Sequence, residues 1–238
     1  MVHPVLTRNE LSLSGNALKI IAAVSMLLDH IGVVFFPNVL WLRIAGRLAM
    51  PIYAYMISEG CHYTKNRLRY FGMVFGLAAV CQTVYAVAMQ DYYMCILVTF
   101  SLSILMIYAL QLLKAQKTVP KQVAAGLLLG AVIVGVWWLN GVLEIDYGFW
   151  GCMLPVFPAL LRGTKWDRRS TGVAMLALGL LILGLDTGAL QAFALLAIPL
   201  LLLYNGQRGK LKMKYFFYIF YPLHLAVLQG LSWLLAYL

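Results

Sequence analysis

Residues 17–36 are apolar except at Lys19, Ser25, Asp29, His30 and Gly32, and runs of this length and character recur to the end of the chain. About 20 helical residues, at ~1.5 Å rise each, cover the ~30 Å hydrocarbon core of a bilayer. In that medium every backbone N–H and C=O must be satisfied within the segment, so such runs read as membrane-spanning helices. The composition agrees: 63% of residues are hydrophobic and 11% charged, whereas soluble domains average ~45–50% and ~25%. The chain reads as an all-α, polytopic transmembrane bundle.

The 238 residues divide into about nine predicted spans, at 16–36, 41–61, 70–89, 92–113, 122–139, 147–161, 171–185, 189–204 and 215–238. A cytosolic leader, 1–15, precedes a single transmembrane domain, 16–238. The first run is not followed by a small-residue cleavage site, so the leader is not read as a signal peptide. Ser14-Gly15-Asn16 is a cap signal for the first helix. Spans six to eight are short, and Pro155, Pro158 and Pro199 are candidate kinks.

Charge gives the orientation. Of the 18 Lys and Arg residues, 14 fall in four loops, 62–69, 114–121, 162–169 and 205–214, and Arg8 and Lys19 stand at the start of the first helix. The positive-inside rule places these in the cytosol, with the N-terminus inside and the C-terminus outside. Asp91, Glu144, Asp146 and Asp186 fall on the opposite turns. The net charge of +10 is therefore a topology signal, and no nucleic-acid partner is expected. Cys61, Cys81, Cys95 and Cys152 lie singly on different spans without ligand spacing, and read as packing residues; no metal is expected.

Against this background the ionisable residues inside the runs stand out, because each is costly in hydrocarbon. Asp29 and His30 are neighbours in sequence and point ~100° apart on a helix, so they cannot easily bond each other. Arg43 and Arg47 enter from the outer side, where basic residues should be scarce. Arg43 reads equally as a headgroup-snorkelling residue or a functional one. Arg47 lies deeper, at the level of Asp29, and is the expected partner of its carboxylate. Lys19, Met26 and His30 fall close to one helix face, with Lys19 at the cytosolic mouth. Glu59 ends the second span, near Lys65, Arg67 and Arg69. His224 lies near the midplane beside Pro222, where a bend and a cavity wall are expected.

The segments Leu18-Lys19-Ile20-Ile21-Ala22, Met26 and Asp29-His30-Ile31-Gly32 resemble the opening of the TraX family of membrane acyltransferases. Gly46-Arg47-Leu48-Ala49-Met50-Pro51-Ile52 with Glu59-Gly60 resembles its second block, and Asp146-Tyr147-Gly148 and Phe220-Tyr221-Pro222-Leu223-His224-Leu225 its later ones. That family is similar to the acyltransferase-3 and heparan-glucosaminide acetyltransferase-like membrane enzymes. The resemblance implies transfer of an acetyl or related acyl group from cytosolic acyl-CoA (acetyl-CoA the natural donor) to an amine or hydroxyl at a bacterial inner membrane. The acceptor would be a pilin N-terminus, a surface glycan or a small molecule.

On this reading His30 is the general base or a transient acyl carrier. Arg47 holds Asp29 or stabilises oxyanion charge, Tyr147 donates to the same oxygen, and His224 positions the thioester. Lys19, Glu59, Arg67 and Arg69 form the donor-binding group. Two other classes remain open: a proton-coupled transporter using Asp29, His30 and His224 as a relay, and a non-catalytic pilus or envelope assembly factor.

Overall fold

The computed structural model describes residues 12–89, 92–210 and 213–236. His3, Arg8, Asp91 and most of the expected leader lie outside the described residues. In chain order the helices are α1 (Gly15–Val34), α2 (Leu40–Gly46), α3 (Ala49–Tyr63), α4 (Arg67–Met89), α5 (Ile96–Ala115) and α6 (Val119–Val142). They continue with α7 (Gly148–Met153), α8 (Val156–Leu160), α9 (Arg169–Thr187), α10 (Ala189–Ala192), a 3-10 turn (Phe193–Leu196), α11 (Ala197–Leu202) and α12 (Lys214–Ala236). Isolated bridges join Leu13 to Tyr204 and Met94 to Ile145.

Six of these helices (α1, α4, α5, α6, α9 and α12) are long and apolar enough to cross a membrane. The other three expected spans are broken. The second is split into α2 and α3 where the Arg47 N–H is shared between the carbonyls of Arg43 and Ile44, a tightening beside Gly46, a poor helix former. The sixth is split into α7 and α8 at Pro155, which has no N–H to carry α7 onward. The eighth consists of α10, the 3-10 turn and α11. At the start of α1 the Ser14 hydroxyl accepts the Ala17 N–H at 3.2 Å, the cap its sequence signals.

The chain forms two compact units. One comprises residues 1–53 and 193–238, the other residues 54–192. In the first, α1 packs against α2 and α12. In the second, α5 packs against α4, α6, α7 and α8, and α9 packs against α7, α8 and α10.

One face of α5 explains how the second unit tolerates a broken helix. Irregular backbone at membrane depth survives only where its freed polar groups find protein partners. Thr99 Oγ1 donates to the carbonyl of Asp146 at 2.8 Å, and Ser103 Oγ approaches those of Cys152 and Thr99 at 2.7 and 2.9 Å. Gln111 Nε2 donates to Cys61 O at 3.1 Å. The Lys114 ammonium places three N–H groups on the carbonyls of Ala159, Leu160 and Arg162, at 2.9, 2.7 and 2.9 Å. Ser103 and Cys152 are fully buried. Ser103→Ala should therefore lower stability by about 1–2 kcal/mol, because the Cys152 carbonyl loses its partner in a dry site. Thermal unfolding in detergent measures this, and an unchanged midpoint would mean the carbonyl is satisfied elsewhere.

Candidate functional site

The spacing of small residues brings α1 and α2 together. Asp29 meets Gly46 and Gly32 meets Leu42, so the two helices run antiparallel. A Cβ on Gly46 would overlap the Asp29 side chain, and one on Gly32 would sit 3.0 Å from Leu42 Cβ; glycine permits both approaches. Into this contact α2 sends two guanidinium groups. Arg47 Nη2 lies 2.8 Å from both Asp29 oxygens, and Arg43 Nη1 lies 3.3 Å from Oδ1. Arg47 is 8% exposed, and its Nε also donates to the Arg43 carbonyl at 3.3 Å. One carboxylate thus faces two cations, which leaves the cluster of three with a net positive charge.

A different face of α1 meets α12. Lys19 Nζ sits 5.8 Å from the Phe217 ring centroid, and three turns further on His30 meets His224. Both contacts advance along both helices, so α1 and α12 run parallel. The ~100° between Asp29 and His30 therefore sends each to a different neighbour. The bend expected at Pro222 does not end α12, which continues to Ala236 with Pro222 inside it.

The two histidines are joined. His30 Nδ1 lies 2.9 Å from His224 Nε2, and His224 Nδ1 lies 2.8 Å from the carbonyl oxygen of Phe220. A carbonyl only accepts, so His224 Nδ1 carries a proton. In neutral His224 the Nε2 is then a bare acceptor, and His30 must donate from Nδ1. This leaves the lone pair of His30 on Nε2. The Phe220 carbonyl thereby fixes both tautomers, as a second hydrogen-bond partner commonly does for a working imidazole. His224 is buried, and the Phe220 ring stacks on it at 4.9 Å. From sequence the two histidines were given separate tasks, His30 as base or acyl carrier and His224 as a cavity wall near the midplane; counting residues from two different helix starts could not bring them together.

Tyr147, Glu59, Arg67 and Arg69 belong to the second unit. Tyr147 holds a left-handed backbone, φ 59° and ψ 11°, immediately before Gly148 at φ 61°, a conformation uncommon for a bulky residue. Beside it, Tyr93 Oη donates to Asp146 Oδ1 at 2.8 Å. Burial, and then the Asp146 carboxylate, push the Tyr93 phenol upward, so it stays the donor. Glu59 pairs with Arg162, not with Lys65, Arg67 or Arg69 as its sequence neighbourhood suggests. Helical geometry turns Glu59 away from the following loop, and a residue about a hundred positions downstream reaches it. Arg162 also holds Asp167 at 3.2 Å. The Gly163 N–H first, and Arg162 with it, pull the Asp167 carboxyl below its ordinary range against the effect of burial. The Arg67 guanidinium lies 5.7 Å from the Tyr108 ring, while the Arg69 side chain is exposed.

Sequence reasoning passed over the polar face of α5 and Arg162. A signal for the first was present, since Thr99, Ser103, Gln111 and Lys114 follow helical spacing in an otherwise apolar run. The four cysteines are buried, and among the described residues none is in a disulfide. Among the described residues, no three His, Cys, Asp or Glu side chains form a metal-binding group.

The family model described as TraX protein matches residues 14–232. A curated relative from Dichelobacter nodosus, "Probable fimbrial assembly protein FimC, serogroup H1", is 26% identical over 250 residues, covering 94% of this chain and 97% of the relative. No solved structure matches the chain.

The cluster on α2 makes a quantitative statement. Asp29→Ala should cost about 3 kcal/mol, because it strands two cations, and Arg47→Ala should cost less, because Arg43 still reaches the carboxylate. A double-mutant cycle by thermal unfolding in detergent should give a coupling of about 1–3 kcal/mol. Strict additivity would mean that the pair contributes nothing.

Proposed function

The chain belongs to the TraX family, and from that premise we propose that it is a multi-pass acyltransferase of a bacterial inner membrane. It would move an acetyl or related group from cytosolic acyl-CoA to an amine or hydroxyl of an envelope substrate. The D. nodosus relative is named as a fimbrial assembly protein, which makes a fimbrial or pilus subunit the first acceptor to test.

The observation that supports this reading is the polarity of the chain Phe220 carbonyl, His224, His30. It presents the Nε2 lone pair of His30 as a base, backed by a second imidazole that can take up the Nδ1 proton. The acceptor amine or hydroxyl attacks the thioester carbonyl while its proton passes to His30 Nε2. The C–S bond then breaks, and the departing thiolate takes a proton back from the same nitrogen as free thiol. The excess positive charge of Asp29, Arg43 and Arg47 favours the oxyanion in between. Lys19 lies 11 residues, or ~16 Å, before His30 on α1, a separation that suits an extended donor running along this face. In this mechanism Glu59 is structural, and neither Tyr147 nor Arg69 is assigned a step.

The proposed topology has nine crossings with the N-terminus cytosolic. Helices α1 and α12 are parallel, and a chain whose first and last spans run the same way crosses an odd number of times. Six long helices cannot satisfy this, so an odd number of the three broken segments must also cross. Three give nine. A reporter fused after Leu238 should read as exterior; a cytosolic signal there would overturn the odd count.

A second reading, an assembly factor without chemistry, draws on the name of the relative. Labelled acyl transfer by the purified protein separates the two. His30→Ala should abolish transfer with helicity intact by circular dichroism. His224→Ala should lower it by about 10²-fold, because the tautomer is no longer fixed. Full turnover in the His30 variant would sink the assignment, and absence of any turnover in the wild type, with a fimbrial subunit or water as acceptor, would favour the assembly factor. Substrate counterflow in proteoliposomes without chemistry would instead indicate a transporter.

A further inference from the structure

A cleft of about 460 Å³ opens in the second unit, where Ser58 and His62 of α3, Arg67 of α4, Gln111 and Lys114 of α5, and Arg162 beyond α8 converge. This volume is in the range of small-molecule sites. Its charges are unevenly balanced. Arg162 is held between Glu59 and Asp167, two carboxylates that together outweigh it by one charge. Lys114 places its three N–H groups on carbonyls, which fixes the wall, and its charge with that of Arg67 leaves these five ionised groups one unit positive. Arg67 lies over the Tyr108 ring, an arrangement that steadies a guanidinium while leaving its donor fork available.

Two buried polar atoms of the lining have no hydrogen-bond partner among the described residues. They are the hydroxyl of Ser58, which is 3% exposed, and Oε1 of Gln111. Buried polar atoms are costly to leave unpaired. The two make different demands: a hydroxyl can donate to an anion, but an amide oxygen requires an N–H or O–H.

We propose that this cleft binds a phosphate-bearing ligand that also offers a hydrogen-bond donor. Arg67 and the Ser58 hydroxyl would hold the phosphate in the field of Lys114, and Gln111 Oε1 would accept from the ligand's amine or hydroxyl. Two sources carry this chemistry: a soluble nucleotide, with phosphate, ribose hydroxyls and base amine, or an anionic lipid headgroup with glycerol hydroxyls. The site does not rest on acyl transfer, and its test reads binding alone.

The probe is adenosine 3′,5′-bisphosphate, titrated calorimetrically into the full chain in phosphatidylcholine nanodiscs. Saturable binding is expected, weakened about tenfold or more by Arg67→Gln and severalfold by Ser58→Ala. Both substitutions leave the backbone contacts of α3 and α4 in place, and Lys65→Gln, outside the cleft, should leave affinity within twofold. Replacing the lipid with phosphatidylglycerol identifies the source. Competition in the wild type, together with excess phosphatidylglycerol retained over the Arg67→Gln variant in native mass spectrometry, points to the headgroup; an unchanged affinity points to the nucleotide. The proposal is overturned if the wild type binds neither probe, or if Lys65→Gln weakens binding as much as Arg67→Gln.

Discussion

A carboxylate at membrane depth must find a cation, and the first unit is arranged around how Asp29 does so. The ion pair with Arg47 requires α2 to lie directly against α1, and that approach requires Gly46 at the point of contact. Arg43 and Arg47, four residues apart, present both guanidinium groups to Asp29 from one face, and the Arg47 Nε bonds the Arg43 carbonyl. Because a buried pair is only weakly stabilising relative to apolar residues of similar shape, its presence speaks more for placement than for stability. Arg43 adds a second cation, which stability alone does not require.

Fixing one face of α1 against α2 determines what the other can do. With Asp29 committed, the ~100° step to His30 points the imidazole at α12, where His224 receives it. The Phe220 carbonyl then orders both tautomers without any charged residue. A carboxylate in that position would raise the basicity of the imidazole. A carbonyl orients the ring and leaves the proton free to move, which suits a group that must both take up and return one within a catalytic cycle. Pro222 withholds its N–H from the carbonyl of Tyr218, one turn back, and takes no part in the bond between His224 and the Phe220 carbonyl.

What was legible in the sequence was whatever hydrocarbon forces locally. The apolar runs, the Ser14 cap and the need of Asp29 for a nearby cation at a matching depth all follow from residues read in place. What was not legible depended on register between distant helices. The His30–His224 bond joins residues 194 apart, and small errors in where each helix enters the bilayer move an estimated depth by several ångströms. The Glu59–Arg162 pair failed for a related reason: proximity in sequence favoured Lys65, Arg67 and Arg69, while the fold brought a loop cation from beyond α8. The broken spans were only half visible. Pro155, Pro158 and Pro199 marked spans six and eight as irregular, while Pro51, which has no N–H for the carbonyl of Arg47, was not read as the mark of the interruption at 47–48.

Helix breaks and polar side chains in apolar helices explain one another. Taken alone, Thr99 and Ser103 on α5 look like ordinary small packing residues, and Lys114 like a cytosolic anchor. Taken with α7 and α8, each answers a particular carbonyl: Asp146 at the start of the broken segment, Cys152 near its middle, and Ala159, Leu160 and Arg162 at its end. The spacing of these donors on α5 matches the advance of the broken segment along it, from one end to the other. A rigid α5 therefore does for the segment 146–162 what an intact helix would do for itself. The cleft forms where that service runs out. At the last turn of α5, Gln111 gives its amide N–H to Cys61, and its carbonyl oxygen, like the Ser58 hydroxyl, is left buried in the wall of the cleft without a hydrogen-bond partner among the described residues. A backbone that needs side-chain partners throughout its length offers such unpaired groups at its ends, and there a ligand can complete the pattern.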